Sequence, residues 1–222
     1  LYKEIREQAP NAKMMLQTYF ESLHAYDRIV QLPVDGIGLD FVHGAKENMK
    51  SLKQHGFPKH KTLSIGIING RDIWSANLAE ATTTIQAIQQ LTEATDFWIS
   101  SSCSLQHVPV SKQLETKLQR ELFEHLAFAD EKIREITHIA YFLKNGSWLQ
   151  EGIVANSMKV IEALATHPIR QNKEVAEAVK GLTREDFTRD VPFEERQKIQ
   201  KEALQLPDFP TTTIGSFPQS AT

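Results

Sequence analysis

Four short apolar runs, each followed by a stretch of helical periodicity, constrain the first half of this sequence more than anything else in it. The runs cover residues 13–20, 37–42 and 62–68, with a fourth entered from Asp96 through Phe97-Trp98-Ile99. Their starts, near residues 13, 36, 62 and 96, leave room for a helix between successive strands. Strands and helices alternating in this way predict parallel pairing with right-handed crossovers. The runs read as apolar on both faces, as expected of strands that helices cover on one side. The class is therefore α/β, with spacing that suits a barrel or a doubly wound sheet. Four units are half of a (β/α)8 barrel of the TIM type. Half a barrel has two open strand edges, and these need cover.

The helices carry their own punctuation. Residues 1–8 predict a short helix closed by Pro10-Asn11, and residues 24–32 a second with Tyr26, Ile29 and Val30 near one face. A third starts near Lys46, turns Met49 and Leu52 inward, and ends at Gly56-Phe57-Pro58. Asn77-Leu78-Ala79-Glu80 has the form of a capping box, after which Leu78, Ile85, Ile88 and Leu91 recur at helical spacing. From Leu114 to Lys144 the pattern is helical again. One unbroken helix there would run roughly 45 Å, so a break is expected before the stop at Gly146. Residues 147–206 are helical and charged, with a helix start at Thr183-Arg184-Glu185-Asp186 and a solvent-facing helix over 194–204. The tail from Thr211 to Pro218 is β-prone and has no unit after it.

Composition excludes more than it assigns. A formal charge of −3 over 222 residues, with an isoelectric point near 6.3, gives no electrostatic reason to expect nucleic acid or an anionic membrane as partner. No run of about 18 apolar residues predicts a membrane span, and the first residues are no signal peptide. One cysteine in the sequence rules out an intrachain disulfide and fits a reducing, cytoplasmic setting. The absence of Met at position 1 is read as a sign of a longer chain.

In a barrel-like sheet, chemistry sits at the carboxyl ends of the strands. The polar residues there are Asp40 and His43, Asn69 and Arg71, and Cys103 and His107. A Cys–His pair serves as nucleophile and base, or as two zinc ligands. Zinc takes three or four ligands, however, and no H-x-C, C-x-x-C or H-E-x-x-H occurs in the sequence. Cys103 reads first as a small buried residue at a strand end. Asn69-Gly70-Arg71 reads as a turn before an anion site, and His43 as a hydrogen bonder at a helix entry before a catalyst. Glu115, Lys117, Arg120 and Glu121 read as solvated helix faces. No glycine-rich phosphate loop is present, since Gly36-Ile37-Gly38 lacks the following helix of a dinucleotide fingerprint.

Three motifs closely resemble the cobalamin-independent methionine synthases. They are Ser101-Ser102-Cys103-Ser104-Leu105-Gln106-His107-Val108-Pro109, Ile68-Asn69-Gly70-Arg71-Asp72-Ile73-Trp74, and Thr211-Thr212-Thr213-Ile214-Gly215-Ser216-Phe217-Pro218-Gln219. Leu16 to Glu21, Leu39 to Gly44 and Glu115 to Leu118 fit in the same order, so the resemblance runs from end to end.

The resemblance implies an enzyme of two (β/α)8 barrels joined by a helical linker. Such an enzyme moves a methyl group from 5-methyltetrahydropteroyltri-L-glutamate to L-homocysteine to make L-methionine. It implies that residues 1–145 are the second half of the amino-terminal barrel, 146–207 the linker, and 208–222 the start of the catalytic barrel. It also implies zinc, held by two cysteines, a histidine and a glutamate expected beyond Thr222. The basic residues that hold the folate tail are expected before Leu1. Of the family's homocysteine-binding positions, Ile214, Gly215 and Ser216 fall in this sequence, with no catalytic residue and no metal ligand beside them.

The family's two barrels look like a duplication, which puts Cys103 in a place similar to the last zinc cysteine, with Asp40 at best standing in for the glutamate. The first strand offers no His-x-Cys pair, so the resemblance makes Cys103 a relic. The chain by itself is expected to be inactive. The alternatives are a non-catalytic half-barrel scaffold that pairs as a homodimer, or an independent Cys103/His107 enzyme.

Overall fold

A computed structural model describes residues 1–211 and residue 215. They form two compact units, residues 1–170 and the described residues from Gln171 on. The first unit begins with α1 (Tyr2–Gln8) and then alternates β1 (Met15–Gln17), α2 (Tyr26–Ile29), β2 (Gly36–Asp40), α3 (Ala45–His55), β3 (Thr62–Ile68), α4 (Leu78–Gln90) and β4 (Phe97–Ser101). The strands lie in chain order, β1-β2-β3-β4, and every pairing is parallel. This α/β sheet with its helices is the arrangement of half a TIM-type barrel. The first strand and the second helix are shorter than the sequence predicts, since only three residues of the run at 13–20 join the ladder.

The two faces of the sheet differ. Alternation puts Leu16, Ile37, Leu39, Leu63, Ile65, Phe97 and Ile99 on one face, and all of them belong to or pack against the core. Leu52 of α3, and Ile85 and Ile88 of α4, bury themselves completely in the same core. The opposite face carries Met15, Gln17, Gly36, Gly38, Asp40, Thr62, Ser64, Gly66, Trp98 and Ser100. The expectation of two apolar faces is thus corrected. Glycine and serine alternate with the aliphatic residues, so an apolar-looking run buries one aliphatic row and leaves a row of small and polar groups behind it. Trp98 on the edge strand is 55% exposed.

The helix ends follow the expected chemistry. The Asn77 side chain caps α4 by accepting from the Glu80 N–H at 3.2 Å. Gly56 closes α3 at φ 67°, donating its N–H to Leu52 O at 2.8 Å. Lys61 is buried under the start of β3, where its ammonium donates to the carbonyls of Val30 and Leu32 just beyond α2.

Past β4 the long helical pattern breaks in two, as α5 (Arg120–Glu124) and α6 (Ala129–Asn145). The cause is a competing backbone pairing. Ser75 N donates to His125 O at 2.9 Å, Ala127 N to Ile73 O at 2.8 Å, and Trp74 and Leu126 form an antiparallel bridge. Ile139 of α6 is fully buried in the core, and α7 (Ile153–Thr166) packs on α4 within this unit. In the second unit, α8 (Lys173–Lys180) and α9 (Phe193–Leu204) bury no residue completely. No strand occurs there among the described residues. Among the described residues, no helix is long and apolar enough to cross a membrane.

If the aliphatic row under α3 and α4 is the core, cutting it back must cost far more than trimming the second unit. Ile65→Ala is expected to lower unfolding free energy by about 2–5 kcal/mol in urea titrations. Val179→Ala, at a surface position, should stay within about 0.5 kcal/mol.

Candidate functional site

The carboxyl ends of the four strands bring three loops together. After β1 the chain turns through Phe20 at φ 62° and Glu21 at φ 93°. Two consecutive side-chain-bearing residues in the left-handed region cost on the order of 1 kcal/mol each, a strain that marks functional loops in many proteins. The turn is held by a close approach: a Cβ on Gly44 would lie 2.4 Å from the Glu21 carbonyl carbon and oxygen. Only glycine fits there, which explains the His43-Gly44 pair. The Phe20 ring meets Tyr19 edge-on at 4.9 Å and His107 at 5.4 Å, and the Arg71 guanidinium sits 5.0 Å over it. The result is a partly exposed aromatic patch with one cation.

Asp40 is fully buried beneath this patch. Its Oδ1 accepts from the N–H groups of Val42 at 2.8 Å and His43 at 2.9 Å, and its Oδ2 from Glu21 N at 3.4 Å, with His43 Nδ1 3.5 Å away. Asn48 braces the same loops, donating to Asp40 O and accepting from Leu23 N. His43 thus stands at a helix entry, as its position before Gly44 predicts.

Asn69 Oδ1 accepts from Arg71 N at 2.9 Å and Asp72 N at 3.3 Å, while its Nδ2 donates to Asp72 Oδ2 at 2.8 Å. That closes the turn on itself with a carboxylate already in place. Arg71 points elsewhere, at Phe20.

Cys103 is buried, and burial pushes its thiol above the ordinary range. The thiol lies against Gly70, whose missing Cβ would come within 2.9 Å of Sγ, and donates weakly to Ser104 O at 3.8 Å. His107 engages Phe20 instead. A thiol held protonated without a base is a poor nucleophile.

Zinc, which the family resemblance implies, does not fit these residues. Both oxygens of Asp40 are committed to backbone amides, and Cys103 is shut in by Gly70. Among the described residues, no group of three or more His, Cys, Asp or Glu is placed to hold a metal. Gly215 has φ 87°, while Ile214 and Ser216 lie outside the described residues.

Two residues that the sequence reading passed over organise the site from behind. Lys132 of α6 is fully buried, donating to Asp72 Oδ1 at 3.1 Å and to Trp74 O at 3.0 Å. Glu135, one turn on, accepts from Ala76 N at 2.9 Å. The signal was present: Lys132 stands seven residues before the buried Ile139 and Glu135 four before it, both on the inward stripe of the helix. The backbone of Phe20 and Glu21 has no comparable signature.

Burial pushes the Glu135 carboxyl up to about 7 from an ordinary 4.5. Between those pH values the folded chain keeps a proton that the unfolded chain releases, so this group's stabilisation falls as pH rises from about 4.5 to about 7. Glu135→Gln keeps an acceptor for Ala76 and removes the titration. Its stability relative to the parent chain should rise between pH 5 and pH 8 by on the order of 3 kcal/mol, read by urea denaturation at each pH.

Residues 1–93 match the family model described as "Cobalamin-independent synthase, N-terminal domain". The chain is 47% identical over 221 residues to a 5-methyltetrahydropteroyltriglutamate–homocysteine methyltransferase of Bacillus cytotoxicus, covering 99% of this chain and 29% of the relative. A protein of the same name from Bacillus cereus is 43% identical over the same shares of both chains. The chain therefore spans 29% of the length of the curated relatives it matches. By sequence, the chain is similar along nearly its whole length to a part of the cobalamin-independent methionine synthases.

Proposed function

We propose that the chain is a supporting part of a zinc-dependent methyltransferase. That enzyme would carry the methyl group of 5-methyltetrahydropteroyltri-L-glutamate to L-homocysteine, giving L-methionine. The observation that carries this reading is the 47% identity across 99% of the chain. In this reading residues 1–145 are half of the amino-terminal barrel, 146–207 the linker and 208–222 the start of the catalytic barrel. Ile214, Gly215 and Ser216 would contact homocysteine, and zinc would be held by residues other than those described here. The metal would supply a thiolate at neutral pH by lowering the thiol pKa. The described residues would supply shape: a rigid strand-end surface on which Tyr19, Phe20, Arg71 and His107 form the outermost layer. The setting would be the cytoplasm.

This reading predicts that the purified 222-residue chain, given homocysteine, the methylated folate triglutamate and zinc, forms no methionine. Turnover above a protein-free control would overturn it, and loss of that turnover in Cys103→Ser would promote an independent Cys103/His107 enzyme.

The open edges at β1 and β4 favour a second, compatible behaviour, in which two copies of the isolated chain pair. Sedimentation should then give a dimer whose dissociation and unfolding coincide. A cooperative monomer at micromolar concentration would count against pairing.

A further inference from the structure

The sequence holds two Asn-Gly pairs, Asn69-Gly70 and Asn145-Gly146, and the fold treats them in opposite ways. Such a pair carries its own reaction. The glycine backbone nitrogen attacks Cγ of the asparagine amide, the new N–C bond closes a five-membered imide, and Nδ2 leaves as ammonia with the proton that the glycine nitrogen gives up. Water then opens the imide at either carbonyl, leaving aspartate or isoaspartate. Glycine is the fastest partner because no Cβ crowds its nitrogen. The attack needs the side chain to swing and the peptide to rotate, so each hydrogen bond holding either group slows it.

At the first pair both groups are held. Asn69 Oδ1 accepts from Arg71 N and Asp72 N, and Nδ2 donates to Asp72 Oδ2. Gly70 is buried and donates its N–H to Ser102 Oγ at 3.1 Å. It packs so closely that a Cβ there would lie 2.7 Å from the Cys103 carbonyl oxygen. At the second pair, Asn145 and Gly146 stand exposed at the end of α6. Asn145 Nδ2 donates to Tyr141 O at 2.8 Å, and the Gly146 N–H to Phe142 O at 2.8 Å. Both bonds belong to the last turn of a helix, the part that frays first. Space around Gly146 is open, with nothing within 4 Å of where its Cβ would stand.

We propose that Asn145 is a deamidation site of the folded chain, while Asn69 is protected. The change sets a carboxylate among the last carbonyls of α6, where the helix dipole disfavours negative charge, and removes the donor to Tyr141 O. Isoaspartate also adds a methylene to the main chain just before Trp148, whose ring stacks on Phe142 at 4.4 Å and packs against the core. The modification therefore falls on the joint between α6 and α7. The inference does not rest on the methyltransferase reading.

The test is peptide mass mapping of the 222-residue chain kept folded at pH 8, beside a sample unfolded in guanidinium chloride. In the folded chain the Asn145 peptide should gain the mass of an amide-to-acid change at least about tenfold faster than the Asn69 peptide, as the additional hydrogen bonds at Asn69-Gly70 require. In the unfolded chain the two rates should converge. Asn145→Gln, whose longer side chain cannot close the five-membered ring, should abolish the early product and leave the circular dichroism spectrum unchanged. Three results would each overturn the proposal: change at Asn69 as fast as at Asn145 in the folded chain, a rate difference that survives unfolding, or an early product that persists in Asn145→Gln.

Discussion

A single buried ammonium ties the outer helices to the strand ends. Stripping the Lys132 charge of water costs several kcal/mol, which only close partners offset. Those partners are Asp72 and the Trp74 carbonyl, both in the loop that leaves β3. The pairing therefore fixes the register of α6 against that loop. It also bears on why α6 begins where it does, since His125 to Ala127 pair with Ile73 to Ser75 instead of continuing a helix. The same clasp holds the turn from which Arg71 reaches Phe20. Polar groups far from the exposed patch thus decide its shape.

The fold was legible because its code is local. Apolar runs, helical spacing, the Asn77 cap and the Gly56 stop each state one element, and alternation of elements states parallel pairing. The reading erred where it treated β2 and β3 as apolar on both sides, since Gly38, Ser64 and Gly66 pass for filler among aliphatic neighbours. The break in the long helix was foreseen from length. Its cause was not, because a strand-like pairing between residues about 50 apart leaves no trace in a helical pattern.

The candidate site was legible in its addresses and less so in its chemistry. Asp40, Asn69, Arg71, Cys103 and His107 do sit at strand ends, as the topology requires. What sequence could not convey is that backbone amides had already claimed Asp40, that Gly70 closes over the Cys103 thiol, and that His107 turns to an aromatic ring. Each of these is a matter of ångströms set by tertiary packing. A charged residue on an apolar stripe was the one signal available for Lys132 and Glu135. It passes unnoticed because exposed lysines and glutamates are so common on helices.

The row of small residues on the open face of the sheet has a consequence for how such a sheet could be completed. The interior of a closed eight-stranded barrel is filled by side chains in layers, with no pore left over. In this half Gly36, Gly38, Ser64, Gly66 and Ser100 contribute little of that volume, and the bulk on the same face comes from Met15, Gln17 and Trp98. Whatever closes against it must bring bulk, so the two halves would be matched like a casting and its mould. Exchange of one half between relatives would then succeed only where both sets of interior volumes travel together, however similar the outer helices.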